Sequence, residues 1–231
     1  MCGRFTLKTS PKALQEELGI LVPSELAPRF NIAPSQRIAV VTNTAANTGE
    51  RKVELFKWGL IPSWAKDPKI GNRMINARAE TLVEKPSYRT ALKKRRCVIL
   101  ADGFYEWRAE GKKKLPLHIR LKSQKPFAMA GLWEIWKDPN GELVPSCTII
   151  TTGANDFMSR IHDRMPVIIP KDRLNEWLAP DPKEVQDLLP LLQPWAGDDL
   201  EAYPVSPLVN SPSNEGPECA QPAPEQASLA S

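Results

Sequence analysis

The sequence predicts an α+β protein: one domain of coiled, mostly antiparallel β-sheets with short flanking helices over residues 1–210, then a disordered, acidic and Pro-rich tail over 211–231. Three observations predict it. Most of the chain reads as short β-rich runs divided by turns, with only a few brief helical stretches. A length of 231 residues suits one sizeable domain, and 42% hydrophobic with 25% charged residues is ordinary for a globular one. From Ser211 onward the composition is Pro, Ser, Ala, Glu and Gln, which offers little to bury.

The elements follow in order. Ser10-Pro11, then Lys12–Leu18, then Gly19 reads as a helix with an N-cap, a proline at its first position and a glycine stop. Gln36–Thr42 and Arg51–Trp58 are strands, the second alternating Val53 and Leu55 with Lys52 and Glu54, and 43–50 is the loop between them. Ser87–Lys94 is helical and runs into the basic stretch Lys93–Arg96. Cys97–Leu100 is a buried strand. Phe104–Arg108 and Leu115–Leu121 flank Ala109–Lys114 as a hairpin with a Lys-rich tip. Phe127–Trp136 and Ser146–Thr152 are further strands, and Asp172–Leu178 and Lys183–Leu189 are short helices.

The whole-chain charge of +4 hides an asymmetry. Residues 179–231 hold nine acids and one base, a net of −8, which leaves +12 on the first 178 residues. A body that basic suits a polyanionic partner, although a merely solubilising surface would read the same. The four cysteines, Cys2, Cys97, Cys147 and Cys219, are too widely spaced for a CxxC metal or redox pair. No signal peptide, lipid anchor or membrane-length apolar run is visible. The expected setting is therefore reducing: the cytoplasm, beside the nucleoid, in a bacterium, or the nucleus in a eukaryote.

Chemistry is concentrated at a few positions. Removal of Met1 would leave Cys2 as an N-terminal 1,2-aminothiol. Such a group condenses with an aldehyde through its amine and closes a five-membered thiazolidine through its thiol. An α-amine with a pKa near 8 is roughly a tenth neutral at neutral pH, far more than a lysine. Alone, a cysteine at this position reads more readily as incidental. Of the two histidines, His118 sits within a strand and reads as structural; His162 lies among charges at the end of an apolar segment, in Ile-His-Asp-Arg-Met-Pro, where a structural role is still the commoner reading. Glu106 falls between aromatics in Asp-Gly-Phe-Tyr-Glu-Trp, where desolvation would raise its pKa and suit it to proton transfer. A solvent-facing strand glutamate would look the same. Asn76 is a hydrogen-bonding side chain or a turn residue. Trp58 and Trp64 flank a Gly/Pro-rich bend, with Lys66, Lys69, Arg73 and Arg78 following; aromatics beside cations are the chemistry of single-strand binding.

Six motifs in order then resemble the SRAP proteins, the SOS-response-associated peptidases understood as abasic-site crosslinkers. They are Met1–Phe5, Arg29–Pro34, Trp58–Trp64, Asn76–Thr81, Asp102–Trp107 and Ile161–Pro166. The resemblance implies that Cys2, freed of Met1, forms a thiazolidine with an abasic deoxyribose in single-stranded DNA, single-strand/duplex junctions included. It implies Asn76 as the hydrogen-bonding group at the link, Glu106 as acid/base and His162 as the active-site histidine. Arg4 and Arg78 are implied as phosphate contacts, with Asn31 and Pro34 also on the DNA-binding side. Trp64 is implied as the stacking residue of a wedge loop, which here reads Ser-Trp-Ala where some relatives carry a second aromatic. Peptidase-like removal of its own Met1, a monomeric state, and no metal or cofactor complete the expectation. Two other classes fit parts of the pattern: a cysteine peptidase acting in trans through Cys2 and His162, and a non-catalytic single-strand binder. Cys2→Ala separates the latter, which would not need the thiol.

Overall fold

The computed structural model describes residues 2–43, 51–181 and 183–224. Met1, most of the expected 43–50 loop and the end of the expected tail lie outside the described residues. In chain order the strands and helices are β1 (Phe5–Leu7), α1 (Pro11–Leu18), β2 (Arg29–Ile32), β3 (Arg37–Thr42), β4 (Glu54–Trp58), β5 (Asn76–Arg78), α2 (Pro86–Lys94), β6 (Arg96–Ala101), β7 (Gly103–Glu110), β8 (Lys113–Leu121), β9 (Phe127–Lys137), β10 (Leu143–Gly153), β11 (Arg164–Pro166), β12 (Ile168–Ile169), α3 (Leu174–Trp177), α4 (Val185–Leu188) and β13 (Leu200–Pro204). The α+β class and the mostly antiparallel pairing are as the sequence predicts. Two parallel pairings, of β10 with β4 and with β5, are the exceptions.

Two sheets form the body. One has the order β13-β8-β7-β1-β2. In the other, pairings run from β10 to β4, β3, β6 and β9 and back to β10, so five strands close into a small barrel. Closure removes exposed edges, and so narrow a barrel is filled by side chains such as Val40, Ile99, Met129 and Ile149, all fully buried. Across the two sheets Phe5 of β1 meets Trp58 of β4 edge to face, ring centroids 5.2 Å apart. Such a pair contributes about 0.5–1.5 kcal/mol beyond its buried area.

Local chemistry explains the element ends. Ser10 Oγ accepts from the Ala13 N–H at 3.3 Å and Gly19 turns left-handed at φ 65°, closing α1 at both ends. The basic stretch after α2 is structural at its last position. Arg96 is fully buried and donates to the carbonyls of Leu92, Trp177, Ala179 and Asp181, tying the C-terminus of α2 to the chain after α3. The two expected late helices are shorter than predicted, four residues each, with 3-10 turns beside them.

The expectation of a disordered tail from Ser211 does not hold for residues 211–224. That segment crosses the edge of the five-stranded sheet as a strap. Glu215 accepts from the Phe30 and Asn31 N–H groups and pairs with Arg29 at 2.9 Å. Tyr105 Oη donates to the Cys219 carbonyl, and Val205 bridges to Pro222. The strap holds because polar partners and the buried Cys219 replace the apolar bulk its composition lacks.

Candidate active site at the junction of the two sheets

The N-terminal strand is fixed first. β1 lies between β2 and β7, with Phe5 opposite Ile32 and Phe104. Asp102 secures the turn that follows β1: its carboxylate accepts from Thr6 Oγ1 at 2.6 Å, the Lys8 and Thr9 N–H groups at 2.6 and 2.7 Å, and Thr9 Oγ1 at 2.8 Å. Cys2, three residues before β1, is thereby buried against the barrel. Its carbonyl accepts from Asn76 Nδ2 at 2.8 Å. Asn76 opens β5, whose parallel pairing with β10 sets it opposite Ile149. The sequence reading left a turn residue as the other option; the side chain is bonded to Cys2.

Glu106 reaches the same place from β7. It is 3% exposed, and burial raises its carboxyl above the usual carboxylate range, opposed by the nearby His162 imidazole and reinforced by Asp163. Burial also pushes the Cys2 thiol well above its ordinary value, and the Glu106 carboxylate adds to that shift. His162 stands in the loop before β11. Its Nδ1 is 2.7 Å from Asp163 Oδ1 and 3.0 Å from the Arg164 N–H. One ring nitrogen cannot donate to the carboxylate and accept from the amide at once, so Nδ1 serves one of these two contacts at a time. The structure thus brings Cys2, Asn76, Glu106 and His162 into one cluster drawn from both sheets.

The residues expected to hold DNA divide. Trp64 is 61% exposed on the loop after β4, beside a shallow groove whose polar lining is Lys66, Asp67, Lys69, Asn72 and Arg73. Arg78 is exposed two residues along β5 from Asn76, hence on the same face of that strand. Pro34 is half-buried in a turn whose Ser35 bonds the Trp58 carbonyl and the Asn72 side chain, beside the same loop. Arg4 and Asn31 differ from expectation. Arg4 is largely buried; its Nη1 donates to Asn31 Oδ1 at 2.8 Å and to the Val209 carbonyl at 2.6 Å, and its guanidinium lies 5.9 Å from the Trp107 ring. Asn31 is fully buried, and its amide donates to the carbonyls of Val209, Ser211 and Asn214. Its side chain is therefore an internal tie between Arg4 and the strap, not a surface contact. Trp58, grouped with Trp64 as a stacking candidate, is core: its indole N–H donates to the Ile75 carbonyl at 2.8 Å.

Other supports escaped the sequence reading. Arg164 grips Glu80 with both terminal nitrogens, at 2.7 and 3.0 Å, and so ties the His162 loop to the chain following β5. Both lie in motifs already singled out, two residues past side chains given roles, Arg78 and His162. Gly59, at φ 128°, lets the Trp58–Trp64 loop cross the following turn: a Cβ there would stand 2.6 Å from the Gly71 carbonyl oxygen. His118 is structural, as the sequence suggests. It is buried between Tyr105 and Tyr203, 3.1 Å from Thr6 Oγ1, with its pKa pushed down by burial to about 3.

Comparison with known proteins joins these observations. The chain is 51% identical over 222 residues to the abasic site processing protein YoqW of Bacillus subtilis (strain 168), covering 94% of this chain and 98% of that one. It is 36% identical over 220 residues to the abasic site processing protein HMCES of Xenopus tropicalis, covering 83% of this chain and 65% of the longer frog protein. A crystal structure of a protein from Bacteroides thetaiotaomicron superposes with a TM-score of 0.83 at 29% identity, covering 96% of this chain and all of that one. The family model for SOS response associated peptidases (SRAP) matches residues 1–212. All six sequence motifs and the whole Cys2–Asn76–Glu106–His162 cluster fall inside that match, and the chain belongs to the SRAP family.

Proposed function

We propose that this protein captures abasic sites in single-stranded DNA, single-strand/duplex junctions included, as a thiazolidine on Cys2 after Met1 has been removed, and so shields them from strand cleavage. The observation that carries the reading is the convergence on the second residue of the chain. The Cys2 carbonyl is anchored by Asn76 at 2.8 Å, the buried Glu106 carboxyl stands within electrostatic reach of Cys2, and the His162 imidazole stands within reach of Glu106. The names of the relatives as abasic site processing proteins support the substrate.

The chemistry follows from the groups present. An abasic deoxyribose is mostly a closed hemiacetal. Opening it takes the proton from the anomeric hydroxyl and places one on the ring oxygen. Glu106, with a raised pKa, can accept the first and give the second. The Cys2 amine then adds to the aldehyde carbon, and the carbinolamine loses water to an imine, again with a proton from the acid. The thiol closes the ring: sulfur bonds the former aldehyde carbon and its proton passes to nitrogen. One water leaves overall. Asn76, by holding the Cys2 carbonyl, fixes the direction of the amine, and His162 stands beside Glu106. β-Elimination at the lesion needs the free aldehyde to acidify the neighbouring carbon, so the linked strand resists cleavage.

A protease acting in trans would need a cysteine poised as thiolate. Here burial and the Glu106 carboxylate raise the thiol above its ordinary value, the opposite of what such a thiolate needs. Removal of the protein's own Met1 at the same residue is part of the proposal. Arg78 and the Trp64 loop would grip phosphates and stack on a base, while Arg4 would do so only through its exposed fringe.

The test is direct. Intact mass establishes that Met1 is absent. The protein is then mixed with a single strand carrying one abasic site and run on a denaturing gel without borohydride. A heat-stable shifted band that disappears in Cys2→Ala is expected. Absence of the band, with DNA affinity intact, would leave a non-catalytic binder.

A further inference from the structure

Strand β7 does not end at the site. Beyond Glu106 it continues with β8 as a two-stranded arm whose residues 109–114 are all exposed. The turn is the two residues Gly111-Lys112, tighter than the predicted Ala109–Lys114 tip, with Gly111 at φ 58° supplying the positive φ such a loop requires. Residues directly opposed on paired strands share a face, and successive residues alternate. The register sets Glu106 against Leu117, Arg108 against Leu115 and Glu110 against Lys113. The face that carries the Glu106 carboxyl therefore runs outward through Arg108 to Lys113, with Lys112 at its end.

These cations have little structural work. Among the described residues the side chains of Lys112 and Lys113 have no ion-pair or hydrogen-bond partner. Among the same residues Arg108 pairs only with Glu110, at 2.7 Å and with both side chains more than 40% exposed. Exposed pairs of that kind contribute from nothing to about 1 kcal/mol, so a phosphate can displace Glu110.

We propose that this face of the arm is a phosphate track, a second contact for the DNA strand whose abasic sugar is held at Cys2. The inference rests on the proposed function and adds a direction and a length to it. At about 3.4 Å per residue, Arg108 lies ~7 Å and Lys113 ~14 Å outward from Glu106. A stacked strand advances about 3.4 Å per nucleotide, so these cations meet phosphates roughly two and four nucleotides from the trapped sugar, on one side only.

The experiment uses Cys2→Ala protein and single strands with a tetrahydrofuran abasic analogue. One flank is held constant while the other grows from one to six nucleotides, in either direction. Affinity is expected to tighten as one particular flank reaches about four nucleotides. Arg108→Ala combined with Lys113→Ala removes that gain and flattens the log K against log salt slope by roughly 1.4, at about 0.7 per cation on a single strand. Glu110→Gln, which frees Arg108, shifts the affinity in the opposite direction and so excludes a folding artefact. If the flank-length gain and the salt slope survive in the double variant, the track is refuted and the lysines only solubilise the arm. A normal nucleotide in place of the analogue separates the two failures: equal affinity for both means that the site reading itself has failed.

Discussion

Asn31→Ala tests whether this asparagine belongs to the DNA surface or to the frame beneath it. In the structure its Oδ1 accepts from Arg4 at 2.8 Å, and its amide donates to three carbonyls of the strap, at 3.3, 3.0 and 2.6 Å. Their dependence on it is unequal. Val209 also receives Arg4 Nη1, and Ser211 also receives the Asn214 N–H. The Asn214 carbonyl keeps only the Cys219 thiol at 3.5 Å, a weak donor. The substitution thus removes one charged hydrogen bond, about 1.5–3 kcal/mol, and strands one carbonyl, about 1–3 kcal/mol. A total near 4 kcal/mol lowers Tm by about 10 °C in a chain of this size. Scanning calorimetry reads it, with urea unfolding as a check. Asn31→Asp is the discriminating partner. It strengthens the pair with Arg4 but turns a carboxylate oxygen toward the Asn214 carbonyl, 2.6 Å from the present amide nitrogen. It should be destabilised at least as much as the alanine variant. A fully stable Asn31→Asp would mean that Asn31 serves Arg4 alone, and the tie to the strap would be wrong.

Two more outcomes follow from burial and exposure. Because burial raises the Glu106 carboxyl, the folded protein holds that proton more tightly than the unfolded chain does. The resulting stability is present below the unfolded carboxylate value and is lost as pH rises through the folded one. Glu106→Gln should therefore show a higher urea midpoint than the parent at neutral pH, a difference that shrinks on acidification, while crosslinking slows by one or more orders of magnitude. An unchanged crosslinking time course would remove Glu106 from the mechanism. Trp64, 61% exposed, should be replaceable by alanine within about 0.5 kcal/mol of stability, yet cost about 1–3 kcal/mol of single-strand affinity in an anisotropy titration. Equal affinity would mean that no base stacks on it.

The long strands were legible because their signal is local. β7 with β8 and β9 with β10 are runs of 8 to 11 residues, long enough for composition and turns to show. β1, β2, β5, β11 and β12 have two to four residues each, too few for any period, and exist because longer partners template them. Trp58 and Trp64 look alike in the motif, but Trp58 shares the parity of the buried Phe56 on β4, a clue to its inward face. Asn31 and the strap were misread for one reason. Their burial is decided by contacts about 180 residues apart, which no local composition encodes. At the site Cys2 has a distinctive chemistry, but Cys2, Asn76, Glu106 and His162 each also had an ordinary reading and gained their roles from the family resemblance.

A nucleophile at the start of a chain faces a physical difficulty, because termini fray and a frayed amine has no fixed direction. This fold meets it with neighbouring residues of one strand pair. Asp102 holds the chain on the far side of β1 through four hydrogen bonds, and Glu106, four residues later, stands beside Cys2. The register of Phe5 with Phe104 and Thr6 with Gly103 sets both, so Glu106 and Cys2, the proposed acid and nucleophile, cannot drift independently. Asn76 then ties Cys2 to a strand of the barrel sheet, and the Phe5–Trp58 contact presses the two sheets together beneath it. Precision at the first residues thus comes from β1, a three-residue strand, being enclosed on both edges and pinned at both ends. A short β1 carries little periodicity for the same reason that it works: its conformation is supplied by its neighbours.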